Sequence, residues 1–170
     1  MRRIALPFLT GILLLTVQTT LLLSLPIHRI RPDLMLIFTL WLVFSYPPLS
    51  GGLLAFSLGY LLDLFSGNTF GLYTFSRAAL FFALYCFRDH FYLEGFFPQS
   101  FLVFISALLE GLLLIILIAI FNPHLLLSYY VSWAKVLLLQ SFFTGLISPL
   151  LFLLFDKGSA YLLQKKDLKV

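Results

Sequence analysis

Apolar residues in this chain gather into six runs, separated by short breaks rich in proline or polar residues. The runs are 4–25, 34–46, 51–65, 70–87, 100–121 and 131–155, and their length and continuity predict helices that cross a bilayer. Lipid is then the solvent for nearly every helix. The second and third runs are short and flank Pro47-Pro48-Leu49-Ser50. Two adjacent prolines forbid a continuous helix, because each removes a donor and restricts the residue before it. A tight helical hairpin is expected. Asp33 follows Pro32 and precedes an apolar run, which is the position of a helix N-cap. Pro149 is expected to kink the last span.

A shorter alternative counts the second and third runs as one crossing, for five spans. Basic residues discriminate between the two. With six spans and an internal N-terminus, Arg2, Arg3, Arg88, Lys157, Lys165, Lys166 and Lys169 face the cytoplasm, and Arg29 and Arg31 face out. Five spans would reverse that bias, against the positive-inside tendency. Six spans with both termini cytoplasmic is the expectation. Tyr129, Tyr130 and Trp133 would then mark the outer interface, and Phe91, Tyr92, Phe96 and Phe97 the inner one. The first run follows Arg2-Arg3 like a secretory signal, but it is longer than a usual signal core and ends in Ser-Leu-Pro-Ile, so it reads as a retained span.

Composition points the same way. Of 170 residues, 61% are hydrophobic and 11% charged, less than half the charge of an average soluble domain (about 25%). Mean hydropathy is +1.04. A single all-α membrane domain over residues 1–170 is expected, with no soluble second domain. The net charge of +4 does not indicate nucleic acid, because the basic residues lie at the ends and in short connections rather than on one face. Cys86 is the only cysteine, which excludes an internal disulfide. Its apolar surroundings predict a small buried side chain.

Charges inside spans are costly and normally have a partner. Asp63, Arg77, Glu110 and Lys135 are the ones here. At 1.5 Å per residue, Arg77 lies about 11 Å and Glu110 about 16 Å below the outer end, while Asp63 and Lys135 lie within about 6 Å of it. Depth therefore matches Arg77 with Glu110 and Lys135 with Asp63, with Asp63 to Arg77 as the other pairing. Such pairs either hold the bundle together or form a polar pocket or partner contact. The third run also carries Gly51, Ala55, Gly59 and Asp63 at four-residue spacing. Three small residues on one stripe let another helix approach closely, either from the same chain or from a partner, with Asp63 pointing into the seam.

Signs of catalysis, cofactors or metal are missing from the sequence. There is no His-Glu-x-x-His, no phosphate-binding Gly-Lys-Ser/Thr and no zinc spacing, and His28, His90 and His124 stand far apart. The connection from Arg88 to Pro98 is too short for a catalytic domain.

Three stretches carry a family resemblance: Val17-Gln18-Thr19-Thr20, then Arg31-Pro32-Asp33-Leu34, then Gly51-Gly52-Leu-Leu-Ala-Phe-Ser-Leu-Gly59-Tyr-Leu-Leu-Asp63-Leu-Phe-Ser-Gly67-Asn-Thr-Phe-Gly71. The chain resembles the MreD family of bacterial rod-shape-determining membrane proteins, by motif over about its first 90 residues and beyond them in length and hydropathy. The resemblance implies a non-enzymatic component of the elongation machinery in the cytoplasmic membrane. Its implied partners are the single-span MreC and, directly or indirectly, MreB, RodA and its transpeptidase. It also implies a six-helix fold similar to the substrate-binding components of energy-coupling-factor transporters. The expected function is a membrane adaptor that acts by lateral contact and supports lateral peptidoglycan synthesis. The alternative is a small-molecule or lipid-binding transporter component.

Overall fold

A computed structural model describes residues 2–24, 32–66, 71–90, 95–121 and 127–167, with side chains described except at 2–5, 21–24, 66, 127–132 and 159–167. Those residues form six α-helices: α1 Arg2–Ser24, α2 Leu34–Ser45, α3 Pro48–Ser66, α4 Leu72–Phe87, α5 Phe96–Phe121 and α6 Leu127–Asp167. A 3-10 turn, Arg88–His90, follows α4, and there is no strand among the described residues. His28, His124, Arg29, Arg31, Phe91 and Tyr92 lie outside the described residues.

Each helix starts and stops for a local reason. Asp33 caps α2, its carboxylate accepting from the Leu36 N–H at 2.9 Å. The same helix closes where the Tyr46 N–H donates to the Leu42 carbonyl, and Pro48 opens α3 at a position where a missing N–H costs nothing. α6 runs unbroken through Pro149. The ring removes the N–H that the Gly145 carbonyl would accept, and the Ser148 hydroxyl donates to that carbonyl at 2.7 Å instead.

The helices pack as two hairpins, α3 on α4 and α5 on α6, with α2 touching all five other helices. Every residue from Met35 to Val43 is buried. α2 is thus an exception to lipid as the solvent, because protein encloses it. Enclosure explains its length. Twelve residues span about 18 Å, short of a hydrocarbon core of about 30 Å, which is tolerable when both ends meet protein groups. Among the described residues, three helical segments are long and apolar enough to cross a membrane: Pro48–Phe65, Phe96–Phe121 and Trp133–Gly158.

Outward faces are greasy. Leu53, Phe56, Tyr60 and Leu64 form an exposed stripe on α3, and Phe101, Leu109, Leu112 and Ile116 do so on α5. Contiguous apolar surface of this extent suits lipid or another helix, not water. Cys86 is exposed too, contrary to expectation, because an apolar run around it does not reveal which way its helix face turns.

At the far end of α2, Trp41 donates its indole N–H to Asp156 at 2.8 Å. Phe38, Trp41, Tyr46 and Phe155 pack their rings around that bond. The Arg88 guanidinium lies over the Tyr85 ring, 4.6 Å from its centroid.

Candidate functional site: a buried ion cluster beside a cavity

Asp63 sits in the last turns of α3 and is 2% exposed. Its carboxylate accepts from the backbone N–H groups of Gly71 (3.1 Å), Tyr73 (2.9 Å) and Thr74 (2.9 Å), and from the Thr74 hydroxyl. Those are the orphan donors at the start of α4. Gly71, at the N-cap position, has no side chain to satisfy them and a left-handed φ of 96° that favours glycine. Asp63 therefore caps α4 from the neighbouring helix. Its negative charge also faces the positive end of the α4 dipole.

This placement corrects the expected pairing of Asp63 with Lys135. Lys135 is exposed on α6 and is in no ion pair with Asp63. Matching depth does not ensure matching azimuth, and three N–H donors plus a hydroxyl already occupy the carboxylate. The stripe that leads to Asp63 is covered by α4. A side chain at Gly59 would put its Cβ 2.9 Å from the Thr74 Cα and the Tyr73 carbonyl oxygen, and one at Gly51 would strike the Phe81 ring. Ala55 is fully buried. The same chain thus fills the seam, and a partner helix has no access to it.

Arg77 is 1% exposed, on the buried face of α4. Its Nε lies 3.0 Å from Glu110 Oε1, an ion pair between the two residues that depth had matched. The sequence reading missed the second partner. Arg77 Nη2 donates to Asp33, the residue that caps α2. Asp33 reaches Arg77 because α2 begins among the other helices, against α1, α4 and α6.

Other polar groups hold the cluster in place. Gln18 on α1 donates to Asp33 Oδ1 at 3.4 Å and accepts from the Met35 N–H at 3.1 Å. The Thr144 hydroxyl on α6 accepts from the Asp33 N–H at 3.1 Å and donates to the Gln140 carbonyl. Ser76 donates to Glu110 at 3.2 Å. Side chains from α1, α4 and α6 thus meet at Asp33, on the α2 N-terminus, and Glu110 of α5 joins them through Arg77. The available signal was the motif itself, since Gln18, Asp33 and Asp63 all belong to the stretches that carry the resemblance. Their spacing alone does not reveal that they meet.

A cavity of about 700 Å³ adjoins this cluster, where α1, α3 and α5 finish and α2, α4 and α6 begin. Arg77, Asp33 and Glu110 share its wall with apolar residues of α3, α5 and α6. One guanidinium nitrogen, Arg77 Nη1, is buried with no hydrogen-bond partner among the described residues. No metal-binding group of histidine, cysteine and carboxylates occurs among the described residues. The arrangement offers fixed charges, donors and acceptors beside a void, which is the chemistry of binding.

Against known families, the model of the rod shape-determining protein MreD matches residues 2–158. No curated protein matches the chain, and no solved structure does either.

Proposed function

The chain belongs to the MreD family of rod shape-determining proteins, and on that premise we propose that it is a non-enzymatic membrane adaptor of the cell-elongation complex. In this reading it is one polytopic domain of six spans in the bacterial cytoplasmic membrane, with both termini inside. Its arrangement resembles the substrate-binding components of energy-coupling-factor transporters. It binds a single-span MreC-like protein laterally, joins RodA, its transpeptidase and MreB directly or through that partner, and supports lateral peptidoglycan synthesis.

The observation that carries this reading is the extent of the family match, residues 2–158 of the chain. Two further features support it. Short connections leave little mass outside the bilayer, so contacts within the membrane are the main ones available. The small-residue stripe is internal, which moves the partner to outward faces such as Leu53, Phe56 and Tyr60 on α3.

The test is co-purification of the tagged full chain with a co-expressed MreC-like protein, with photoreactive residues placed at Leu53, Phe56 and Tyr60 and, separately, at Phe101, Leu109 and Leu112. Crosslinks from one face to the partner's single span are expected. A chain that reaches the membrane at normal level yet never recovers the partner, and does not restore rod shape to cells depleted of their own copy, would refute the adaptor role. Cys86 checks the topology. It lies one residue before the end of α4, on the proposed cytoplasmic side, and it is exposed. A membrane-impermeant maleimide should modify it in inverted vesicles and spare it in intact cells.

A further inference from the structure

The cavity beside Arg77 has a charged wall. The Asp33 and Glu110 side chains are 16% and 5% exposed, whereas that of Arg77 is 1% exposed. All three side chains line the void, and Arg77 is the most deeply buried of them. Among the described residues, two carboxylates oppose one guanidinium and no other charged side chain lines the cavity. At low dielectric this surplus favours a cation and repels an anion. Arg77 Nη1 adds a second demand. A buried nitrogen without an acceptor is unfavourable, and an oxygen brought into the adjoining void would relieve it. The remaining wall, including Leu62, Leu114, Ile115 and Val136, is apolar. The volume suits a small organic ligand, since such sites run from about 300 to 1,000 Å³.

We propose that this cavity binds a primary ammonium group bearing a phosphate oxygen two carbons away, as in phosphoethanolamine, with the ammonium at Asp33 and Glu110 and the oxygen at Arg77 Nη1. A primary ammonium has three donors and can serve both carboxylates, whereas a quaternary one has none to give. In a phospholipid headgroup the single phosphodiester charge is balanced by the ammonium within the ligand, so the cavity's own excess of carboxylate does not exclude it. This chemistry has two sources, the headgroup of a membrane phospholipid or a free aminoalkyl phosphate. The apolar wall suits the first. The proposal does not depend on the adaptor role.

The experiment uses the full chain, delipidated in detergent, with native mass spectrometry for stoichiometry and ligand-induced thermal stabilisation for affinity. The probes are phosphatidylethanolamine, phosphatidylcholine and phosphatidylglycerol of matched acyl chains, free O-phosphoethanolamine, and inorganic phosphate. One phosphatidylethanolamine per chain is expected, half-saturating at a concentration at least tenfold below that of the choline or glycerol lipid. Binding of free O-phosphoethanolamine as tightly as the lipid would assign the soluble source, and binding of the lipid alone would assign the membrane source. Both outcomes support the proposed chemistry. Val136→Trp, which fills the cavity away from the ion cluster, should abolish binding with the ligand-free unfolding temperature unchanged. Glu110→Gln should narrow the headgroup preference about tenfold. Equal binding of the three lipids, preference for phosphatidylglycerol or inorganic phosphate, or undiminished binding by folded Val136→Trp would each overturn the proposal. The wild-type headgroup series decides the matter even if either variant fails to fold.

Discussion

Replacing Asp63 tests the claim that α4 is capped from α3. In Asp63→Ala the N–H groups of Gly71, Tyr73 and Thr74 lose their acceptor together, and the Thr74 hydroxyl loses its own. A net loss of about 1–3 kcal/mol accompanies each buried donor left unsatisfied, although donors sharing one acceptor do not add fully. Some local relaxation will recover part of the deficit. The expected loss is about 3–5 kcal/mol, the upper end of single-residue effects. Asp63→Asn keeps one carbonyl oxygen but turns an NH2 toward a donor and removes the charge facing the helix dipole, so about 1–2 kcal/mol is expected. Lys135→Gln, on an exposed side chain, should fall within about 0.5 kcal/mol of wild type. Reversible unfolding in mixed anionic and neutral micelles, followed by tryptophan fluorescence, gives all three values. If Asp63→Ala stays within 1 kcal/mol of wild type, or if Lys135→Gln is as damaging as it, the capping role is wrong and the ion-pair reading returns.

Arg77→Met leaves Asp33 and Glu110 buried without a counter-ion and should cost about 3–5 kcal/mol in the same assay, whereas the triple variant Asp33→Asn, Arg77→Met, Glu110→Gln should recover most of it, since neutralising a whole buried cluster is far less costly than orphaning part of it. A triple variant as unstable as the single one would contradict this account. Gly59→Leu forces α3 from α4, because the nearest atoms to an added Cβ are backbone and cannot rotate away; a loss of at least about 1–3 kcal/mol is expected, and a stable Gly59→Leu protein would show that the contact is looser than described. Trp41→Phe keeps the ring packing but removes the 2.8 Å bond to Asp156, with an expected loss of about 1 kcal/mol that should vanish in an Asp156→Ala background if the bond is its source, and persist if packing is.

Much of the helical layout was legible in the sequence, because apolar continuity and proline placement are local. The apolar run at 34–46 became α2, Leu34–Ser45, and the run at 100–121 lies within α5, Phe96–Phe121. Pro47-Pro48 separates α2 from α3 where two restricted residues must. Asp33 as an N-cap is likewise local, since the bond spans three residues. Pairing of Arg77 with Glu110 followed from rise per residue, because both lie far from either end and few other charges share their depth. The same arithmetic failed for Asp63 and Lys135. Depth is one coordinate, and the rotation of each helix about its axis is another that sequence spacing between helices does not supply.

From the chain alone came whatever depends on neighbours along it: an apolar, helical membrane protein, the break at Pro47-Pro48, the small-residue stripe on α3, and the motifs that resemble MreD. The tertiary structure decided what depends on neighbours across space. It placed α2 within protein, turned Asp63 into the cap of another helix, added Asp33 to Arg77, and opened a void beside them. The reason is that hydropathy reports transfer from water and is blind to whether lipid or another helix receives the side chain, so azimuth and enclosure emerge only when all six helices pack.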